Sequence, residues 1–379
     1  MLLGIGAAYV LPLWGIRVFE TFNAIFSQFL GFIIPLIIFG FVAPAIADVG
    51  RGAGKMLVVT ALIAYAATIL AGTVSFLVSD AVFPSMITAG SAGALDNENV
   101  VGPAALAPYF TIEMPPLMSV MGALILSFIL GIGCSRMTES PLKRGLDDFG
   151  KVVAAVINGV VIPLLPVYIF GIFMNMTFSG KVATVLLTFS QIILVIFALH
   201  IGILLLQFTI ASFFSTGSRN PLKLLWTMLP AYFTALGTQS SAATIPVTLR
   251  QTKALGVRDS VAGFTVPLCA TIHMSGSTLK IVACAVALMI LNGLPFDFPM
   301  FFGFICMLGI TIIAAPGIPG GAIMASLGLL TSMLGFSDAD CALMIALYIA
   351  MDSFGTACNV TGDGALSVII NRIFPAKSE

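Results

Sequence analysis

The sequence predicts an all-α polytopic membrane protein with two re-entrant helical hairpins. Its 379 residues are 59% hydrophobic and only 8% charged, whereas a soluble domain carries about 25% charged residues. Apolar segments of about 20 residues, each long enough to cross a bilayer, recur along the chain. Two of them are broken by a polar or a Gly/Pro-rich centre, which is the pattern of a segment that enters and leaves on one side.

The charged residues indicate how the chain is oriented. All but three of the 16 Lys and Arg residues fall into short clusters, and the segments between these clusters carry acids. Since basic loops stay in the cytoplasm, we expect a multi-pass protein of the inner (plasma) membrane with both termini in the cytoplasm. The clustered basic residues are Arg51, Lys55, Arg136, Lys143, Arg144, Lys151, Arg219, Lys223, Arg250, Lys253, Arg258, Arg372 and Lys377.

The two interrupted segments predict hairpins of opposite orientation. Hairpin 1, at 220–254, contains the run Thr238–Pro246 between basic flanks and therefore opens to the cytoplasm. Hairpin 2, at 298–333, contains Ala314–Gly321 between acidic flanks and opens to the outside. Opposed hairpins form an inverted repeat, which is how secondary transporters build a binding site at the midplane. A channel for ions or anions, with a re-entrant filter, remains an alternative.

The last apolar segment carries the strongest site signal. Asp352, Thr356, Asn359 and Asp363 follow one another at spacings of three or four, so they share one face of a helix. Carboxylates inside a membrane are costly unless they meet a cation, an ammonium group or water. We therefore expect this face to form part of a binding site for an ion, an ammonium-bearing substrate or both.

Three motifs resemble the dicarboxylate/amino acid:cation symporter family, the glutamate transporter homologues. They are Gln239–Thr248 in hairpin 1, Gly317–Gly320 in hairpin 2, and Asn359–Asp363 in the last helix. The resemblance implies the elevator fold, with eight transmembrane helices and the two hairpins, assembled as a homotrimer in the lipid bilayer. It implies no nucleic-acid partner. The chain shows no nucleotide-binding loop and no metal-hydrolase spacing, so we expect no enzyme.

The resemblance also divides the chain into a scaffold and a mobile transport domain. Scaffold helices 1 and 2 occupy 1–51, and an external loop with scaffold helices 4 and 5 occupies 84–180. Transport-domain helix 3 occupies 52–83, and the rest of that domain occupies 181–379. The parts of this last region are helix 6, hairpin 1 at 220–254, broken helix 7 at 258–293, hairpin 2 at 298–333 and helix 8 at 338–372.

The resemblance assigns the candidate substrate site to both hairpins and helix 8. Asp352 matches the acid that holds the ammonium group of an amino acid substrate, and Ser241 with the hairpin 2 backbone matches the groups around its carboxylate. Helix and hairpin N-termini present free N–H groups to such an anion. The candidate substrate residues are Ser240, Ser241, Gly317, Ile318, Pro319, Gly320, Asp352, Gly355, Thr356 and Asn359.

Sodium is the coupling ion that the resemblance implies. Asn359 and Asp363 match side-chain ligands of a sodium site, and hard oxygens suit a small hard cation. His273, Thr271 and Ser275 lie at a second candidate position in the broken helix. There the family's usual Asp is replaced by Ser275, so this position lacks a carboxylate.

Substrate choice is predicted by two missing arginines. Acidic-substrate members of the family carry an Arg where this chain has Gly355, or alternatively where it has Gln239. Without a guanidinium to bind a side-chain carboxylate, a neutral amino acid of the Ser, Ala or Thr type is the expected substrate. Lys280 and His273 keep open the alternative of a proton-coupled or cation-independent amino acid carrier.

Overall fold

The computed structural model describes a helical chain. It covers residues 2–50, 55–87, 106–137, 140–180, 182–215, 217–313 and 320–375, and no strand occurs within these ranges. The tip residues Gly317, Ile318 and Pro319 of hairpin 2, and much of the predicted external loop, lie outside them. In chain order the α-helices are α1 (Leu2–Ala8), α2 (Leu13–Gly50), α3 (Lys55–Val82), α4 (Val120–Ser135), α5 (Pro141–Val156), α6 (Ile162–Phe178), α7 (Val182–Phe214), α8 (Pro221–Thr238), α9 (Ser241–Ala254), α10 (Asp259–Ile272), α11 (Ser275–Asn292), α12 (Phe298–Ile313), α13 (Gly321–Leu334), α14 (Asp338–Ala350) and α15 (Asp352–Ile373).

Several of these helices are suited to crossing a membrane. Among the described residues, four spans are long and apolar enough, and six if two bent helix pairs each count as one span. The four are Leu13–Pro44, Lys55–Ser85, Phe189–Phe214 and Asp259–Asn292. The bent pairs join α5 to α6 and α14 to α15. The described part of the chain is therefore all-helical, and its spans are those of a polytopic membrane protein.

The helices pack in two groups. Helix α2 packs along α4, α5 and α6, and α1 packs on α6. In the second group, α15 packs on the helices α7 to α11, and α3 packs on α11 and α12. The two groups meet mainly where α12 and α13 approach α2 and where α14 approaches α6.

Helices α8 and α9 form the paired helices of hairpin 1. Asn220 caps α8 by accepting hydrogen bonds from the backbone N–H groups of Leu222 and Lys223. The helix ends at Gln239, which adopts a left-handed backbone (φ 53°) and turns the chain. Ser240 then caps α9 by accepting from the N–H of Ala243. A left-handed residue followed by a Ser cap explains why the polar run breaks the helix here.

Two further helix breaks shape the centre of the molecule. Helices α10 and α11 are separated by His273 and Met274, both buried. Helices α14 and α15 are bent by 62° about Met351, so α15 begins at Asp352. The sequence predicts one helix over 338–372, whereas the structure has a break at Met351. A carboxylate at a helix start is favourable, because the exposed N–H groups and the helix dipole attract negative charge there.

Candidate functional site

Asp352 lies where α11, hairpin 2 and α15 meet. Only 4% of the residue is exposed. Its Oδ2 accepts a hydrogen bond of 2.7 Å from the backbone N–H of Gly320, the residue that precedes α13. Its Oδ1 accepts one of 2.8 Å from the Nζ of Lys280 on α11. Both oxygens of the carboxylate are thus engaged, and the side chain links three separate elements.

Lys280 is a fully buried cation beside this carboxylate, with none of its surface exposed. Its Nζ also lies 3.4 Å from the centre of the Tyr348 ring, where the π face attracts an ammonium group. A Cβ atom on Gly355 would lie 2.8 Å from the same Nζ. Lys280 therefore fills the space that a side chain at position 355 would enter, and Gly355 is required for the ion pair to form as it does.

Asn359 caps the start of α11, next to the break between α10 and α11. Its Oδ1 accepts hydrogen bonds from the N–H groups of Gly276, at 2.7 Å, and Ser277, at 3.4 Å. Its Nδ2 donates to the Ser277 hydroxyl at 3.1 Å, and Tyr348 donates to the same hydroxyl at 3.2 Å. Met274 supplies no side-chain cap for α11, so Asn359 satisfies these N–H groups from a different helix.

Asp363 forms a second buried acid–base contact, about three helical turns beyond Asp352. Its Oδ1 lies 2.9 Å from Nδ1 of His273. On the other side of the ring, Nε2 lies 2.6 Å from the Ser275 hydroxyl, to which Gln207 of α7 donates at 3.0 Å. The four side chains form a continuous polar chain in a buried region, since Asp363, His273, Ser275 and Gln207 are each at most 4% exposed.

The remaining candidate residues lie around these two centres or apart from them. Ser241 is buried at the start of α9, which packs on α15. Thr356 is buried on α15. Gln239 is exposed. Thr271 is also exposed, and its hydroxyl donates to the carbonyl of Leu268 instead of facing the polar chain.

Three residues of these polar contacts are hard to identify from the sequence: Gln207, Gly362 and Ser277. Gln207 is a lone amide in a long apolar helix, and its partners Ser275 and His273 lie far away along the chain. Gly362 is needed because a Cβ there would lie 2.6 Å from both the Gln207 Oε1 and the His273 Cε1. Ser277 gains its role only through Asn359 and Tyr348. The sequence signal for Gln207 is a single amide side chain within an apolar helix, which indicates a polar partner inside the bundle.

The side-chain oxygens of the candidate sodium site contact nitrogen groups in this structure. The Asn359 Oδ1 accepts from backbone N–H groups, and the Asp363 Oδ1 contacts the His273 ring. In the described ranges, no group of three or more His, Cys, Asp or Glu residues is placed to hold a metal ion. Asp363 nevertheless keeps a second oxygen, and a carboxylate with nearby hydroxyl and amide oxygens is a suitable donor set for a hard monovalent cation.

Broken helices that meet around buried polar side chains inside an apolar bundle define a secondary transporter. A family model supports this class directly, because the model for the sodium:dicarboxylate symporter family matches residues 1–373. The chain therefore belongs to the sodium:dicarboxylate symporter family, and it is a transporter, not an enzyme.

Curated relatives cover nearly the whole chain. The serine/threonine transporter SstT of Acinetobacter baumannii strain AYE is 27% identical over 96% of this chain and 92% of its own length. SstT of strain AB0057 matches to the same extent, and SstT of strain SDF is 26% identical over the same shares. The family match over residues 1–373 includes both groups of helices and all the candidate site residues.

Proposed function

We propose that the protein is a secondary active transporter that carries a small neutral amino acid of the serine or threonine type, coupled to sodium. The observation that carries the proposal is the position of Asp352. It is a buried carboxylate at a helix break, already holding an ammonium group, in a transporter whose relatives are named for serine and threonine. An amino acid ammonium is the natural soluble partner for such a carboxylate.

The packing of the helices supports an elevator mode of transport. One group, formed by α1, α2 and α4 to α6, acts as the scaffold, and the other acts as a mobile transport domain that carries both carboxylates. The arrangement of eight spans and two hairpins, the homotrimer and the cytoplasmic termini belong to the same proposal. Sliding of one rigid group past the other moves the site across the membrane without breaking its internal contacts.

Sodium coupling is favoured by the family and by the oxygens of Asn359 and Asp363. A second candidate is a proton-coupled or cation-independent carrier, and one observation favours it. The Asp363 carboxylate already contacts an imidazole, and His is the side chain whose charge changes most readily near neutral pH. The two candidates share the substrate site and differ only in what occupies the neighbourhood of Asp363.

Uptake into proteoliposomes tests the proposal. Purified protein is reconstituted, and accumulation of labelled serine, alanine and threonine is followed under an inward sodium gradient, an inward proton gradient or neither, with the voltage clamped. Accumulation that requires the sodium gradient supports the first candidate. Accumulation driven by the proton gradient alone, or uptake to equilibrium with neither gradient, supports the second, and no uptake of any neutral amino acid contradicts both.

A further inference from the structure

We propose that the substrate zwitterion inserts into the Lys280–Asp352 ion pair. Its ammonium replaces Lys280 on Asp352, and its carboxylate supplies the negative charge that Lys280 then lacks. The inference rests on the proposed function and adds to it: Lys280 becomes a substrate-selecting residue. In the observed pair, a tethered ammonium occupies the place that the proposal gives to the ammonium of the substrate.

The burial of Lys280 is the first argument. The side chain is fully enclosed, and the residues around it on α11 are buried as well. Among the described residues, Asp352 is the one anion within ion-pair distance of its Nζ. A buried ammonium without a partner is strongly unfavourable. When Asp352 turns to the ammonium of a substrate, Lys280 therefore needs a new anion, and the substrate carboxylate arrives with that ammonium.

The surroundings of the Lys280 Nζ allow this exchange of partners. Gly355 presents no side chain to it, although a Cβ at that position would lie 2.8 Å away. The Tyr348 ring lies 3.4 Å from the Nζ on another side. A π face attracts a cation without neutralising it, so it supports the ammonium while its charged partner changes.

Charge balance then sets the substrate class. The ion pair is neutral, and a neutral amino acid brings one positive and one negative charge, so every charge in the occupied site finds an opposite. Serinamide brings only the ammonium and leaves two cations with one carboxylate. Lactate brings only the carboxylate and leaves Asp352 without a cation. Aspartate and glutamate bring a surplus carboxylate that no described residue beside the pair compensates.

The test compares serine with serinamide and lactate as competitors of labelled serine, using wild type and Lys280→Met in nanodiscs. We expect wild type to prefer serine over serinamide by at least about tenfold, equal to about 1.4 kcal/mol. In Lys280→Met the serinamide ammonium alone neutralises Asp352, so the preference falls by about tenfold or more. An unchanged ratio, with both ligands weakened equally, means that Lys280 is only structural and overturns the inference.

A second variant covers the case in which Lys280→Met does not fold. Lys280→Gln keeps a polar group that can donate to the Asp352 carboxylate but carries no charge, and its serine-to-serinamide ratio is expected to fall as in Lys280→Met. A ratio equal to that of wild type contradicts the inference. Failure of the proposed function looks different: wild type then binds neither serine, alanine nor threonine. Serine binding with an unaltered ratio in the variants rejects the inference alone.

Discussion

The two buried carboxylates of α15 differ in what holds them. Asp352 contacts a flexible ammonium on α11 and a backbone N–H at hairpin 2, so it joins elements that come from distant parts of the chain. Asp363 contacts a rigid ring that is itself fixed by Ser275 and Gln207. Lys280 is joined to its carboxylate by one hydrogen bond and can exchange that partner easily. The His273 ring has contacts at both nitrogens and therefore resists movement. This difference suits Asp352 to the substrate and Asp363 to a coupling ion.

The largest effect is expected for Asp352→Asn. The substitution removes the partner of the substrate ammonium, a charge-assisted contact worth roughly 1.5–3 kcal/mol, and more if a charge is left unpaired. We expect amino acid binding to be abolished. Substrate affinity is measured by titration on the folded fraction, with the exposed Asp80→Asn as a matched control. Affinity within about threefold of wild type, less than 1 kcal/mol, contradicts the role of Asp352.

The second effect concerns Gly355→Arg. The missing-arginine argument predicts that this substitution shifts preference towards aspartate and glutamate, provided that Arg can pack there. The structure adds that even a Cβ meets the Lys280 ammonium at 2.8 Å. We therefore expect the single variant to be destabilised, and Gly355→Arg with Lys280→Met to accept the acidic substrates. A competition panel of Ser, Ala, Thr, Leu, Asp and Glu measures this. If the wild-type protein prefers Asp or Glu over every neutral competitor, the missing-arginine argument is wrong.

A smaller effect is expected for Asp363→Asn. If sodium binds near Asp363, the variant requires more sodium to reach the same substrate affinity, because ligands that favour one state strengthen each other reciprocally. Substrate is titrated at several sodium concentrations, and the two proteins should converge as sodium rises. If wild-type binding is insensitive to sodium altogether, sodium coupling is rejected and the proton-coupled or cation-independent reading replaces it.

The smallest effect is expected for Gly362→Ala. The added methyl meets Gln207 and His273 at 2.6 Å, so it disturbs the polar chain at Asp363 while leaving Asp352 untouched. Transport driven by the ion gradient should fall several-fold, and serine affinity at saturating ion should change by less than about threefold. Gly263→Ala, where a Cβ meets nothing within 4 Å, is the matched control. Equal loss of affinity and of coupled transport would contradict the separation of the two centres.

Much of the fold follows from the sequence, because bilayer length and helix-breaking runs are local properties. The break between α8 and α9 at Gln239 and Ser240 coincides with the polar run of hairpin 1. The break between α10 and α11 at His273 and Met274 lies within the predicted broken helix 7. The bend at Met351 has no such signal, since no Pro or Gly stands there. It is set by the tertiary contacts of Asp352 with Lys280 and Gly320, which local patterns do not contain.

For the candidate site, the sequence predicts which residues share a helical face, but not which residues of other helices they contact. The face formed by Asp352, Thr356, Asn359 and Asp363 follows from helical spacing, and all four are buried on α15. The pairing of Asp352 with Lys280, and of Asp363 with His273, depends on how α11 and α15 pack. No spacing within one segment specifies a contact between two helices, so these pairs required the structure.

The most direct measurement is a structure of the protein bound to serine. If the substrate takes the place of Lys280, the serine ammonium lies about 3 Å from the Asp352 carboxylate. The Lys280 Nζ then lies beyond about 4 Å from Asp352, outside ion-pair distance, and faces the serine carboxylate. Serine bound elsewhere, with the 2.8 Å contact between Lys280 and Asp352 unchanged, would contradict the account.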